Sequence, residues 1–186
     1  EALGRDTTGY ALVRGPRPFT FPEDHGPHPA YRTEWWYYTG NLEAPDGRRF
    51  GYQYTLFRTA LVPPDTAGER ASDWATNQLY MAHFTVTDVA AERFYAFERF
   101  SRGAAGLAGA QAAPFRVWLE DWSAEAAGAM PRMRLRAQQD GVGIDLMLAP
   151  SKPVVLQGDR GYDRKGAAPG NASYYYALTR LATEGT

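Results

Sequence analysis

The sequence predicts an all-β domain, an antiparallel β-barrel or a strongly curved β-sandwich, on three observations. A ring-dense hairpin runs from Glu34 to Arg58, short strands bounded by turn residues follow in series, and no stretch sustains helical periodicity over three turns. In the hairpin, Glu34-Trp35-Trp36-Tyr37-Tyr38-Thr39-Gly40-Asn41-Leu42 and Arg49-Phe50-Gly51-Tyr52-Gln53-Tyr54-Thr55-Leu56-Phe57-Arg58 flank Pro45-Asp46-Gly47-Arg48. Asp-Gly tolerates the positive φ angles of tight turns. Trp36, Tyr38 and Leu42 share one face, and Trp35, Tyr37 and Thr39 the other. Rings on both faces need cover on both sides, as in a barrel wall with a lined interior and a packed exterior.

Taken in order, residues 1–33 read as an extended arm. Pro16, Pro18, Pro22, Pro27 and Pro29 lack amide donors and push their predecessors toward extended geometry. One domain, residues 34–186, follows. Its strands are expected at about 34–43, 48–60, 76–88, 92–101, 114–121, 131–139, 143–149, 153–157 and 172–182. Asp88 and Arg93 bracket a second short-loop hairpin, and Gln139-Asp140-Gly141-Val142 supplies a third turn. Ala104 to Ala113 reads as a short helical stretch weakened by Gly103, Gly106 and Gly109. Pro63 to Ser72 and Gly158 to Asn171 read as long loops. Within Tyr174-Tyr175-Tyr176, the middle ring should point opposite to its neighbours.

A chain of 186 residues suits one domain able to bury its own core. The 44% apolar and 22% charged residues are those of a globular domain and exclude disorder. The aromatic share of 14% is high, and Tyr and Trp suit a cavity or an interface because each joins a flat apolar body to one polar atom. A net charge of −1 gives no sign of a nucleic-acid partner. Only Lys152 and Lys165 are lysines, so the basic residues are nearly all Arg, which reads as GC-rich coding DNA. Without Cys there is no disulfide, thiol nucleophile or thiolate metal site. No apolar run is long enough for a membrane span.

Glu34 stands beside two Trp on a strand expected to be buried. Lost hydration raises a carboxyl pKa unless a cation pairs with it. It is therefore a candidate general acid, or else an ion-pair partner of Arg32 or Arg58. His83, among Met81, Ala82, Phe84 and Val86, is the His expected inside, where it can shuttle a proton or orient Glu34 across the sheet, or serve as a satisfied core residue. Trp35, Trp36, Tyr38, Tyr52 and Tyr54 are candidate walls of a pocket for a flat apolar ligand. Gln53, an amide amid rings, either meets that ligand or faces Asn41 and Thr39 across the hairpin. Asp24, His25 and His28 have metal-ligand residue types, but a Pro-rich arm does not fix ligand geometry, so no metal and no cofactor is expected. No Gly-x-Ser-x-Gly elbow occurs, and Gly158-Asp159-Arg160-Gly161 lacks the ending of a phosphate loop.

Four ordered blocks carry a family resemblance: His28-Pro29-Ala30-Tyr31-Arg32-Thr33-Glu34-Trp35-Trp36-Tyr37-Tyr38-Thr39-Gly40, Gly51 to Arg58, Met81-Ala82-His83-Phe84-Thr85-Val86-Thr87-Asp88, and Gly170 to Leu181. Together they resemble the lipocalin-like family of AttH proteins, bacterial "predicted secreted hydrolases" and carotenoid 1,2-hydratase (hydroxyneurosporene synthase). The resemblance implies a lipocalin-like β-barrel and a hydrophobic, isoprenoid or lipid-like ligand. It also implies a periplasmic or secreted location, and a C-terminal domain of the same protein as partner. This chain then corresponds to the N-terminal half of a two-domain protein. In hydratase-like members the acid that protonates the double bond lies in the second half, so hydratase or hydrolase activity is expected only of the full-length protein. A structural domain that merely docks its sibling is the remaining alternative.

Overall fold

The computed structural model describes residues 7–66 and 76–186. The first six residues of the expected arm, and the expected loop beyond residue 66, lie outside the described residues. Strands run as β1 (Thr33–Glu43), β2 (Arg49–Ala60), β3 (Gln78–Asp88), β4 (Arg93–Arg102), β5 (Ala108–Ala112), β6 (Phe115–Leu119), β7 (Trp122–Ala126), β8 (Met133–Gln139) and β9 (Val142–Pro150). Short β10 (Val155–Leu156), β11 (Tyr162–Arg164), β12 (Ala172–Tyr174) and β13 (Tyr176–Ala177) precede β14 (Leu181–Gly185). Single 3-10 turns occur at Glu23–His25 and Pro64–Thr66. Among the described residues no helix is long and apolar enough to cross a membrane.

All pairings between strands are antiparallel. One sheet is the meander β1-β2-β3-β4, and the other has the order β14-β9-β8-β7-β6-β5. Neither closes on itself: β1 and β4 edge the first sheet, β14 and β5 the second. The minor ladders β10–β13 and β11–β12 stand apart. The predicted all-β antiparallel class is therefore observed, with open ladders and no closed barrel.

Turn chemistry accounts for the meanders. Asp140 and Gly141 take φ of 51° and 80°, the two positive angles that a two-residue type I′ hairpin demands between β8 and β9. Period-two alternation then builds the core. On β1 Trp36 and Tyr38 point inward, on β2 Tyr52, Tyr54 and Leu56, and on β3 Tyr80, Ala82 and Phe84. They share one cluster with Val117, Leu119, Trp122, Leu135, Leu146 and Leu148 of the second sheet.

Trp122 joins the two layers. It is fully buried, with Tyr54 at 6.3 Å and Phe84 at 5.7 Å between ring centroids, and its indole N–H donates to the Gln138 carbonyl at 3.0 Å. Burying such a ring removes on the order of 200 Å² from water, roughly 5 kcal/mol as an upper bound.

Three elements differ from expectation. The stretch read as a weak helix contains β5, because Gly109 sits directly opposite Trp118 and leaves room for its ring. The indole N–H of Trp118 then reaches the Gly106 carbonyl at 2.9 Å. The expected strand 114–121 is shorter and turns back at Glu120, whose φ of 57° starts the two-residue hairpin into β7. The expected strand 172–182 is broken into β12, β13 and β14. Tyr174 pairs with Tyr162, Tyr176 pairs with Leu156, and only from Leu181 does the chain join β9.

A β-carbon at Gly109 would enter the van der Waals envelope of the Trp118 ring. Gly109→Val should lower the unfolding free energy by about 1–3 kcal/mol, the usual effect of overpacking, with chemical denaturation as the measurement.

Candidate functional site

On β2 the inward row Tyr52, Tyr54, Leu56 continues to Arg58, which is only 2% exposed. A guanidinium stays charged, so burying it requires partners. Its Nε donates to Glu34 Oε2 at 2.7 Å, directly across the β1–β2 ladder. Nη1 donates to Gln78 Oε1 at 2.8 Å, and Nη2 to the carbonyls of His28 (3.0 Å) and Tyr31 (2.7 Å). Those carbonyls belong to the N-terminal arm, so one buried cation pins the arm to the sheet.

Glu34 passes the connection on. It accepts the His28 backbone N–H at 3.0 Å and faces His28 Nδ1 at 3.0 Å, while His28 Nε2 lies 2.8 Å from Asp24 Oδ1. Ionised carboxylate oxygens only accept, so both ring nitrogens carry hydrogen and His28 is an imidazolium. Asp24 completes the relay: Arg17 Nη2 and Nη1 donate to it at 2.5 and 3.1 Å, and Thr20 N–H at 2.5 Å.

The protonation states follow from these contacts. His28 is raised above its ordinary 6.5 by its hydrogen bond to Glu34, burial opposes, and Asp24 reinforces the rise. Burial pushes Asp24 up, but Arg17, Thr20 N–H and His28 outweigh it and hold the carboxyl at about 2. Burial likewise pushes Glu34 up, and His28 and Arg58 bring it below its ordinary 4.5. Beside this chain of charges, buried His25 is lowered by desolvation and stays neutral. The Tyr176 hydroxyl donates to the Asp24 carbonyl at 3.2 Å, so His25 Nδ1, at 2.8 Å, donates to Tyr176.

These groups stand on the wall of a cleft of about 680 Å³. It runs along the unpaired edge of β1, between the arm and residues 172–179, with Phe115, Met133 and Leu181 from the second sheet. Its charged lining comprises Arg17, Asp24, His28, Arg32 and Glu34, and its rings include Phe19, Trp35, Trp36, Tyr38 and Tyr174 to Tyr176. The three tyrosines alternate as expected: Tyr174 and Tyr176 contact Phe19 edge-on, whereas Tyr175 packs on Trp35.

Of the residues singled out from the sequence, Glu34, Trp35, Trp36 and Tyr38 line this cleft. Trp36 also donates its indole N–H to the His25 carbonyl at 3.0 Å. Tyr52 lies instead beside an adjoining recess of about 240 Å³ formed with Thr39, Gly40 and Leu178 to Leu181. Tyr54 is in the filled core between Tyr38, Phe84 and Trp122. Gln53 is exposed on the outer face opposite Thr39.

His83 corrects the expectation that it lies inside with Glu34. It alternates with inward Ala82 and Phe84, so it faces outward beside Phe57, with Nε2 2.8 Å from Glu98 Oε2. The buried His is His25. For Glu34 the partner is Arg58, and the resulting ion pair leaves the carboxyl ionised. Of the metal-ligand types in the arm, Asp24 and His28 are engaged with each other and with Arg17 and Glu34, and His25 with Tyr176. Among the described residues no group of three His, Asp or Glu side chains is arranged to hold a metal ion. Arg17, Tyr174 and Tyr176 were not singled out as site residues. The signal available for Arg58 was its position in phase with Tyr52, Tyr54 and Leu56.

The AttH-like family model matches residues 12–186. A crystal structure of a candidate AttH protein from Nitrosomonas europaea superposes with a TM-score of 0.79 at 35% identity, over 93% of this chain. This chain spans 50% of that one. No curated protein matches.

Two outcomes test the relay. Arg58→Met leaves Glu34 without its nearest donor and frees two arm carbonyls, and should destabilise by about 3–5 kcal/mol in chemical denaturation. Because the folded-state pKa of His28 is raised, its stabilising contribution is full below 6.5 and is lost as pH rises through the raised value. Asp24 and Glu34 are lowered, so theirs are full above 3.8 and 4.5 and are lost as pH falls through the lowered values. Unfolding free energy should therefore fall on the alkaline side of 6.5, and His28→Gln should flatten that limb and also shrink the acid limb in part, since His28 no longer lowers Glu34 and Asp24.

Proposed function

The chain belongs to the AttH-like family, and from that premise we propose that it binds a hydrophobic small molecule in the cleft along β1. The observation that carries this is the cleft's composition. Trp35, Trp36, Tyr38 and Tyr175 offer apolar walls, and Arg17, Asp24, His28 and Glu34 place charged groups on the same lining. Small-molecule sites have this character, a mostly apolar concavity with a few placed polar groups. The unit is read as the lipocalin-like, barrel-like N-terminal half of a two-domain, secreted or periplasmic protein related to carotenoid 1,2-hydratase. That it covers half of the Nitrosomonas europaea chain supports the half-length part of that reading.

A second reading, hydration or hydrolysis of an isoprenoid or lipidic substrate by the full-length protein, draws on the same cleft. It is favoured by Asp24, His28 and Glu34 opening onto the apolar walls. In that reading this chain supplies walls and charge, and the protonating acid comes from the C-terminal domain. A purely structural role gains less support, since a docking surface needs no concavity of this volume.

An environment-sensitive apolar dye tests the binding. Saturable binding should weaken several-fold in Trp35→Ala, on the order of 1 kcal/mol, and remain unchanged in Gln53→Ala, whose side chain lies outside the cleft. Equal loss in both variants, or in neither, would remove this cleft from consideration.

A further inference from the structure

The charges on the cleft wall do not cancel. Arg17, His28 and Arg58 form one continuous chain of contacts with only two carboxylates, Asp24 and Glu34. Each carboxylate is shared by two cations: Asp24 by Arg17 and His28, Glu34 by His28 and Arg58. No other acidic side chain lines the cleft among the described residues. Of the other ionisable groups nearby, burial lowers His25 and raises Tyr31 and Tyr176, so these three are neutral at physiological pH.

Arg58 lies behind the wall at 2% exposure, whereas the side chains of Arg17 and His28 keep 28% and 31% of their surface. The surplus positive charge is therefore presented toward the cleft by His28 and Arg17. It sits beside low-dielectric aromatic walls, where a field is focused instead of screened.

We propose that the ligand of this cleft is an amphiphilic anion, with its apolar body against Trp35, Trp36 and Tyr175 and its anionic head, a carboxylate or similar group, at the exposed edges of His28 and Arg17. An anionic head would give His28 and Arg17 the counter-charge that Asp24 and Glu34 supply only in part. This rests on the reading of the cleft as an apolar binding site, and narrows it to one class of head group.

Three probes with the same twelve-carbon tail separate the possibilities: dodecanoate, dodecanol and dodecyltrimethylammonium, each titrated calorimetrically below its aggregation concentration at a slightly acid pH. Dodecanoate should bind about tenfold tighter than dodecanol and tighter still than the cation. In His28→Gln the advantage of dodecanoate over dodecanol should shrink to about twofold, with circular dichroism reporting whether the variant is folded. Should that variant fail to fold, the ranking on the unaltered protein decides alone. Dodecanol binding as tightly as dodecanoate, or the ammonium binding tightest, overturns this inference and leaves the apolar site standing. Binding of none of the three removes the apolar site and this inference together.

Discussion

The burial of one guanidinium organises the functional end of the molecule. Arg58 lies in phase with the core row of β2, so alternation alone drives its side chain inward. A cation there needs a counter-ion and acceptors, and the neighbours that provide them are Glu34 across the ladder, Gln78 on β3 and two carbonyls of the arm. Among the described residues the arm makes few backbone hydrogen bonds to the sheets. Its prolines lack donors, and Ala60 N–H to the Arg32 carbonyl is a rare backbone bond from arm to sheet. Side-chain contacts do the fastening: Arg58, Trp36 and Tyr176 all reach arm carbonyls.

That fastening decides where a cavity can exist. The interior between the two sheets is filled, with Trp122, Tyr54 and Phe84 meeting edge to face. Open space is found instead along the edge of β1, which pairs only with β2, toward β14, which pairs only with β9. Were β1 and β14 hydrogen-bonded, the sheets would join there and the seam would vanish. The arm and residues 172–179 roof the seam without sealing it. The unclosed ladder and the cleft are one feature viewed from backbone and from side chains.

Much of this was readable from residue patterns. Asp140-Gly141 and Pro45-Asp46-Gly47 announced their turns, and the two-faced aromatic strand at 34–42 was correctly assigned to faces. Its outer face is more open than expected, with Trp35 and Tyr37 at 36% and 46% exposure. Where the sequence misled, a non-local partner decided. Nothing local tells that Gly109 must yield space to Trp118, so an Ala-Gly stretch passes for a weak helix. Nothing local breaks Tyr174 to Leu181 into three, because the break is set by pairing first with Tyr162 and then with Leu156. His83 misled through its neighbour: Met81, on the same outward parity, is apolar enough to hide which parity faces the core. The Glu34–Arg58 pair was legible as an alternative, whereas the role of His28 needed the arm's path, which prolines leave unspecified.

The same network bears on what chemistry the cleft can do. A general acid must hold a proton it can surrender, and a general base an unoccupied lone pair of suitable basicity. Asp24 and Glu34 are depressed by the cations around them, so neither is protonated near neutrality, and their oxygens are taken up by Arg17, Thr20, His28 and Arg58. His28 holds two protons, but each is already directed at a carboxylate that stabilises the imidazolium. His25 is neutral, with Nδ1 committed to Tyr176. Each group thus keeps its neighbour in one charge state, which makes the cluster a fixed electrostatic surface and a poor proton relay. A surface of that kind recognises and orients, as preorganised charge does in a dry site. Proton transfer to a bound molecule would call for a group set apart from this network.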